Sequence, residues 1–183
     1  MKGLFDVRKI RHGVFETNSS SSHSLVIRRD VELSPFNIPL NDKGFVTWKF
    51  RYFGWEYEVL DWQEDKLSYL LAMAFTTEIK HHKNQNEQDN FTLFEHTDGF
   101  QKLNNFVKQY CNGISLDISD IDDNDSTHEA DAYLFVNEHE LIDHQSSTDR
   151  YISLQDFLDD YQKTIEEIIL DDKIVIIIDN DNK

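Results

Sequence analysis

Five consecutive residues, Ile174-Val175-Ile176-Ile177-Ile178, form the longest run of β-branched apolar residues in the chain. β-Branched side chains favour extended backbone. A run that is apolar on both parities is expected to be one strand buried on both faces. It begins after Lys173 and ends at Asp179. The rest of the chain must supply cover for it. A mean hydropathy of −0.60 argues against an easy core. The 13 Phe and 7 Tyr argue for one, because each ring buries a large area. With 183 residues there is enough chain for one domain with a proper interior.

The spacing of apolar residues predicts the other elements. Val14 to Glu16 and Leu25 to Arg29 read as short strands around a polar loop. Phe45 to Phe53 alternates apolar and basic residues, and Trp55, Tyr57 and Val59 continue at period two. A hairpin centred near Gly54 is expected there. Asp61 to Ile79 changes to helical spacing, with Leu67, Leu70, Leu71, Ala74 and Phe75 on one stripe. Phe100, Leu103, Phe106, Val107 and Tyr110 form a second stripe, stopped by Gly113. Ile114, Leu116 and Ile118 alternate like a strand, and Ala132 to Val136 reads as another. Ser153 is a good N-cap for a last helix whose inner face runs from Leu154 to Ile169. The expected fold is therefore a single α+β domain over residues 1–183. It has an N-terminal antiparallel sheet, about three helices and a buried C-terminal strand.

Charge and cysteine content narrow the function. The net charge is −17. Residues 113–183 hold 20 acids and 4 bases, whereas residues 1–112 hold 15 acids and 14 bases. Such an acidic part disfavours direct nucleic-acid binding and acidic membranes, and favours basic partners or cations. A single cysteine, Cys111, allows no internal disulfide and no Cys-rich zinc site. The start is charged without an apolar h-region, and no stretch approaches a membrane helix. A cytoplasmic location is the expectation.

The most site-like feature is the polar segment Thr17 to Ser24, in which seven of eight residues are Ser, Thr or Asn. Hydroxyls and amides in a tight loop can hold phosphate or another anion. Arg8, Lys9 and Arg11 precede it, and Arg28 and Arg29 follow. Glu16 and His23 add acid–base groups. The plain alternative is a flexible Ser-rich turn. A serine-nucleophile reading is weak, because residues so close in sequence rarely form a triad and no nucleophile elbow is present.

Two further polar strings stand far away. Ile142-Asp143-His144-Gln145-Ser146 offers Asp and His in one loop, a set that can bind a divalent metal or orient a base. Asp179-Asn180-Asp181-Asn182 follows the apolar run directly, where a strand-end carboxylate often meets a ligand. Both also read as ordinary polar loops or tails. Asp122, Asp123 and Asp125 lack the glycine and distal glutamate of a calcium loop.

The string Arg11-x-Gly13-x-Phe15-Glu16-Thr17-Asn18-Ser19-Ser20-Ser21-Ser22-His23-Ser24 resembles the opening of a group of uncharacterised proteins from phages and low-GC Gram-positive bacteria. Members of that group also tend to carry the Ile-Asp-His-Gln-Ser string and a C-terminal Asn/Asp-rich string. The resemblance implies that the motifs occur together, in a phage or mobile-element setting, and implies no activity. It suggests one composite site. Catalytic roles would fall to Glu16, His23 and His144. Ligand binding would fall to Arg11, Asn18, Ser19, Ser20, Ser21 and Ser22, and metal binding to Asp143 and Asp179. Hydroxyls and Arg would take a nucleotide or phosphate ligand, and Asp and His a divalent metal ion or a proton. Two other readings compete. One is a noncatalytic acidic inhibitor, or nucleic-acid mimic, that binds a basic host protein. The other is an ADP-ribosyltransferase-like enzyme built on Arg11 or His12-Gly13, with Glu138-His139-Glu140 as a loose match to its acidic motif.

Overall fold

A computed structural model describes residues 8–10, 21–27, 33–49, 53, 57–79, 92–117 and 153–180, with 8–10, 21–27 and 179–180 described through their backbone. The chain is α+β. Its strands are β1 (Arg8–Ile10), β2 (Ser21–Ile27), β3 (Val46–Lys49), β4 (Glu58–Leu60), β5 (Ile114–Asp117) and β6 (Ile174–Asn180). Its helices are α1 (Gln63–Ile79), α2 (Asp98–Val107), α3 (Leu154–Tyr161) and α4 (Ile165–Leu170), with one further helical turn at 92–94. The expected strands at Val14 to Glu16 and Ala132 to Val136 lie outside the described residues.

Four strands form an antiparallel sheet in the order β1-β2-β6-β4. The sheet is not N-terminal, as the spacing suggested, because the C-terminal β6 sits inside it. Its register follows side-chain chemistry. Ile10 is opposite Leu25, Leu25 opposite Ile176, and Ile176 opposite Leu60. One row across the sheet is therefore apolar on all four strands. A slip of one residue would break that row, so burial fixes the pairing.

The apolar run is covered more on one side than on the other. Ile174, Ile176 and Ile178 are fully buried, while Val175 and Ile177 are only half-buried. The expectation of burial on both faces fails because helical cover comes to one face, where α4 packs against β6. The turn of the expected hairpin near Gly54 lies outside the described residues, and the two strands that flank it pair elsewhere. Strand β4 pairs with β6, whereas β3 pairs with β5 in a separate parallel pair. A parallel pair needs a long crossover. Here β4, α1 and α2 lie between the two strands in sequence.

Helix α1 is the centre of the core. Every residue from Tyr69 to Thr76 is buried. A helix covered all round lies inside the molecule rather than on its surface. It contacts α2, α3 and α4. Helix α2 starts against it very closely. A Cβ at Gly99 would meet the Ala74 Cβ at 2.8 Å. The Gly99 N–H donates to Glu78 Oε1 at 2.9 Å, so a carboxylate of α1 caps the start of α2. Thr97 supplies the N-cap side chain.

The expected last helix is two helices. Gln162 ends α3 at φ 52°, in the left-handed region. Thr164 then opens α4 with a capping box to Glu167. That backbone bond holds the Glu167 carboxyl below its usual range. The left-handed conformation costs a non-glycine residue roughly 1 kcal/mol. Gln162 is exposed, so its side chain contributes little to packing. Gln162→Gly is expected to stabilise the protein by about 0.5 to 1 kcal/mol, after the entropy cost of glycine. Urea unfolding checks this, and a lower midpoint in the variant would count against it.

Candidate functional site

Strand β2 carries the second half of the serine segment. Ser21, Ser22, His23 and Ser24 are strand residues, not the loop that composition suggested. The backbone pairing with β6 explains this, because ladder hydrogen bonds accept any side chain with room to fit. Ser21 is opposite Asn180, Ser22 opposite Asp179, His23 opposite Ile178 and Ser24 opposite Ile177. Two of the three polar strings thus meet at one end of the sheet, although they come from opposite ends of the chain. His23 shares its row with Ile178 and Glu58, and Ile178 is fully buried. Ser22, Ser24 and Asp179 take the alternate rows. Arg11, Glu16, Asn18, Ser19, Ser20, Asp143 and His144 lie outside the described residues, as do His12, Gly13, Glu138 and Glu140. Among the described residues, no three His, Cys, Asp or Glu side chains come together as a set that could hold a metal.

The other end of β6 holds a buried charge that sequence reasoning missed. Lys66, on α1, is completely buried. Its Nζ donates to the Asp171 carbonyl at 3.0 Å and to the Ile174 carbonyl at 3.3 Å. The first of these is a carbonyl left over where α4 ends. Burial pushes the Lys66 amine below its usual pKa, while Asp172, Asp171 and Asp61 oppose that shift. The Asp171 carboxylate is also buried. Its Oδ1 accepts from the Lys173 N–H at 2.9 Å, and its Oδ2 has no hydrogen-bond partner. Outside this corner, the Ser34 N–H donates to the Leu170 carbonyl at 2.8 Å, and the Ser34 hydroxyl donates to Asp172. The arrangement clamps the turn that feeds β6. Completely buried, Lys66 acts here as a holding group through its two carbonyl contacts. Its signal in the sequence was a lone cation one helical turn before Leu70, on the core side of α1.

A separate cleft of about 520 Å³ lies between the 39–41 segment, β3 and the first turns of α1. Its floor is Val46, Trp48, Leu67 and Leu71, all buried. Internal bonds use several of its polar groups. The Trp48 indole N–H donates to Ser68 Oγ at 3.1 Å, and Asn41 Nδ2 donates to Thr47 Oγ1 at 3.1 Å. Burial also raises the Tyr69 phenol far above its ordinary pKa, so this core tyrosine stays protonated.

Comparison with known proteins finds no matching family model, no matching curated protein and no matching solved structure. No helix among the described residues is long and apolar enough to cross a membrane.

Proposed function

We propose that the chain binds a nucleotide or another phosphate-bearing ligand at the end of the four-stranded sheet where the serine strand meets Asp179. One observation carries this reading. Ser22 pairs in register with Asp179, which brings hydroxyl-bearing and carboxylate-bearing residues together from distant parts of the chain. Hydroxyls suit phosphate oxygens. A carboxylate beside a phosphate calls for a divalent ion to hold both. In the full proposal Arg11, Asn18, Ser19 and Ser20 complete the phosphate side. Asp143 joins Asp179 on the metal, and Glu16, His23 and His144 serve as proton-transfer groups if the ligand reacts. The phage setting suggested by the opening motif is part of the same proposal.

The test is a thermal melt with a nucleotide diphosphate panel and Mg²⁺. At about 100 times Kd a ligand specific for the folded state adds about 2.7 kcal/mol. For a chain of this size that raises Tm by about 5 to 10 °C. The shift is expected to vanish in Ser22→Ala and Asp179→Asn. A second reading has its own observation, the net −16 over residues 113–183. An acidic decoy of a basic protein would show salt-sensitive binding to that partner, no nucleotide shift, and indifference to Ser22→Ala.

A further inference from the structure

Independently of the phosphate site, we infer that the open edge of β3 is a docking site for an extended, basic segment of a partner protein, which adds to the β3–β5 pair as a third strand. In a parallel ladder a strand turns every second residue toward a given neighbour. The Val46 N–H donates to the Gly113 carbonyl at 3.0 Å, so Val46 and Trp48 face β5. Phe45 faces the other way. Its carbonyl accepts from the Asn41 N–H at 2.8 Å, and its own N–H donates to Asn41 Oδ1 at 3.1 Å. Thr47 faces the same way as Phe45. The Asn41–Phe45 pairing, continued by two residues, would set Pro39 opposite Thr47. Proline has no N–H for the Thr47 carbonyl. The two segments therefore part after one pair, and among the described residues no backbone bond reaches Thr47 on that edge.

The cleft of about 520 Å³ lies where the two segments part. All four residues of β3 line it, on both parities, so it runs along the strand's edge and not over one face. Four residues of an added strand would span about 13 Å beside it. The helical wall of the cleft is one face of α1, with Glu64, Leu67, Ser68 and Leu71 at helical spacing. The Trp48 indole bond to Ser68 fixes β3 on that face. An added strand would set alternate side chains down on Leu67 and Leu71, and would cover Leu40 on the rim, now 48% exposed. Strand addition needs these two things, free main-chain groups for affinity and an apolar floor for every second side chain. A small ligand would use the floor but leave the Thr47 edge unpaired. Charge selects the partner. The exposed Glu64 stands at the cleft with Asp65 and Lys49, in a chain of net charge −17. A basic segment is attracted, whereas a second copy of this acidic chain is repelled.

Amide hydrogen exchange, followed by NMR on the full chain, tests the edge without a ligand. The Thr47 amide is expected to exchange about ten times faster, or more, than those of Val46 and Trp48. Equal protection would overturn the open edge. The binding probes are blocked hexapeptides that alternate Lys with Val, Leu or Phe, and the same peptides with Glu for Lys. At least one Lys peptide is expected to bind about ten times more tightly than its Glu counterpart and to slow exchange at Thr47. In a strand the N–H groups of alternate residues point to opposite edges. N-methylation of the Lys amides or of the apolar amides should therefore abolish binding in one series and spare it in the other. Loss in both series, or in neither, rules out strand addition. Thr47→Pro removes the donor at the open edge, keeps the Val46 bond to Gly113 and should lose the peptide. Glu64→Lys, at an exposed position, should reduce the preference for Lys over Glu peptides by about threefold or more. No binding by any Lys peptide, or equal affinity for the Glu peptides, overturns the basic partner. Sedimentation equilibrium covers the other occupant. A dimer that Thr47→Pro abolishes would mean that a second copy takes the edge, and would overturn the basic partner as well.

Discussion

Phe94→Ala is expected to lower the unfolding free energy by about 4 kcal/mol. Phe94 lies in the short helical turn before α2 and is completely buried. Its ring centroid is 5.7 Å from that of Trp48, 5.1 Å from Phe75 and 5.2 Å from Phe100. The Phe75 and Phe100 contacts are edge-on, the arrangement that ring quadrupoles favour. The ring therefore ties together β3, α1 and α2. Removing it opens a cavity between three elements that are each held elsewhere, so collapse can fill little of the space. Phe94→Leu keeps most of the volume and loses the ring contacts. Its cost should be about 1 to 1.5 kcal/mol. Urea unfolding at constant m-value measures both. Equal costs for the two variants would mean that ring geometry, and not volume, carries the effect. A loss under 2 kcal/mol for alanine would mean that the cluster repacks.

How much of this was legible depends on the kind of information each element needs. Helix α1 was plain from its stripe, because 3.6-residue spacing is a local property. Its burial all round was not plain. Tyr69, Ala72, Met73 and Thr76 lie off the stripe and are covered only because other elements surround the helix. Strand β3 was legible as a strand but its partner was not. Alternation says that one face is buried; it says nothing about which edge the strand will meet. The break at Gln162 was written in the sequence, since Thr164 and Glu167 have capping-box spacing. Continuous apolar spacing from Leu154 to Ile169 hid it.

The same division applies to the candidate site. Serine content marked Thr17 to Ser24 as polar, and the terminal carboxylates were noted as a strand end. That Ser22 stands opposite Asp179 is a long-range pairing, fixed by the apolar row at Leu25 and Ile176 and not by the polar residues themselves. The alternate rows have a mechanistic consequence for the composite site. His23 takes the row of Ile178, between the rows of Ser22 and Ser24. In the proposed site, a proton-transfer role for His23 would therefore work from a different row than Ser22 and Ser24, the row that Glu58 on β4 joins across Ile178.

Lys66→Ala is expected to cost about 3 to 5 kcal/mol, the usual penalty for removing one member of a buried charge set. Three losses combine. The Asp171 and Ile174 carbonyls lose a donor, although the Ile174 N–H still reaches the Asp171 carbonyl at 3.0 Å. The buried Asp171 carboxylate loses a neighbouring cation. The aliphatic stem also leaves a void beside α4. Lys66→Met retains the stem and should cost about 1 to 2 kcal/mol less than alanine. Adding Asp171→Asn to Lys66→Met removes the second charge and should recover part of the remaining loss. The pH dependence separates the charge from the packing. Burial lowers the folded-state pKa of Lys66 below the 10.5 of a free lysine. Between the folded and unfolded values the unfolded chain binds the extra proton, so this group's contribution to stability rises with pH. Below the folded value the full cost of burying the ammonium is present; above 10.5 it is gone. A neutral amine can still donate to both carbonyls. The stability of wild type relative to Lys66→Met should therefore increase as pH rises toward 10.5, with other titrating groups cancelling between the two proteins. A flat difference, or one that falls with pH, would mean that attraction from Asp171, Asp172 and Asp61 outweighs burial and that the corner is held as an ion cluster.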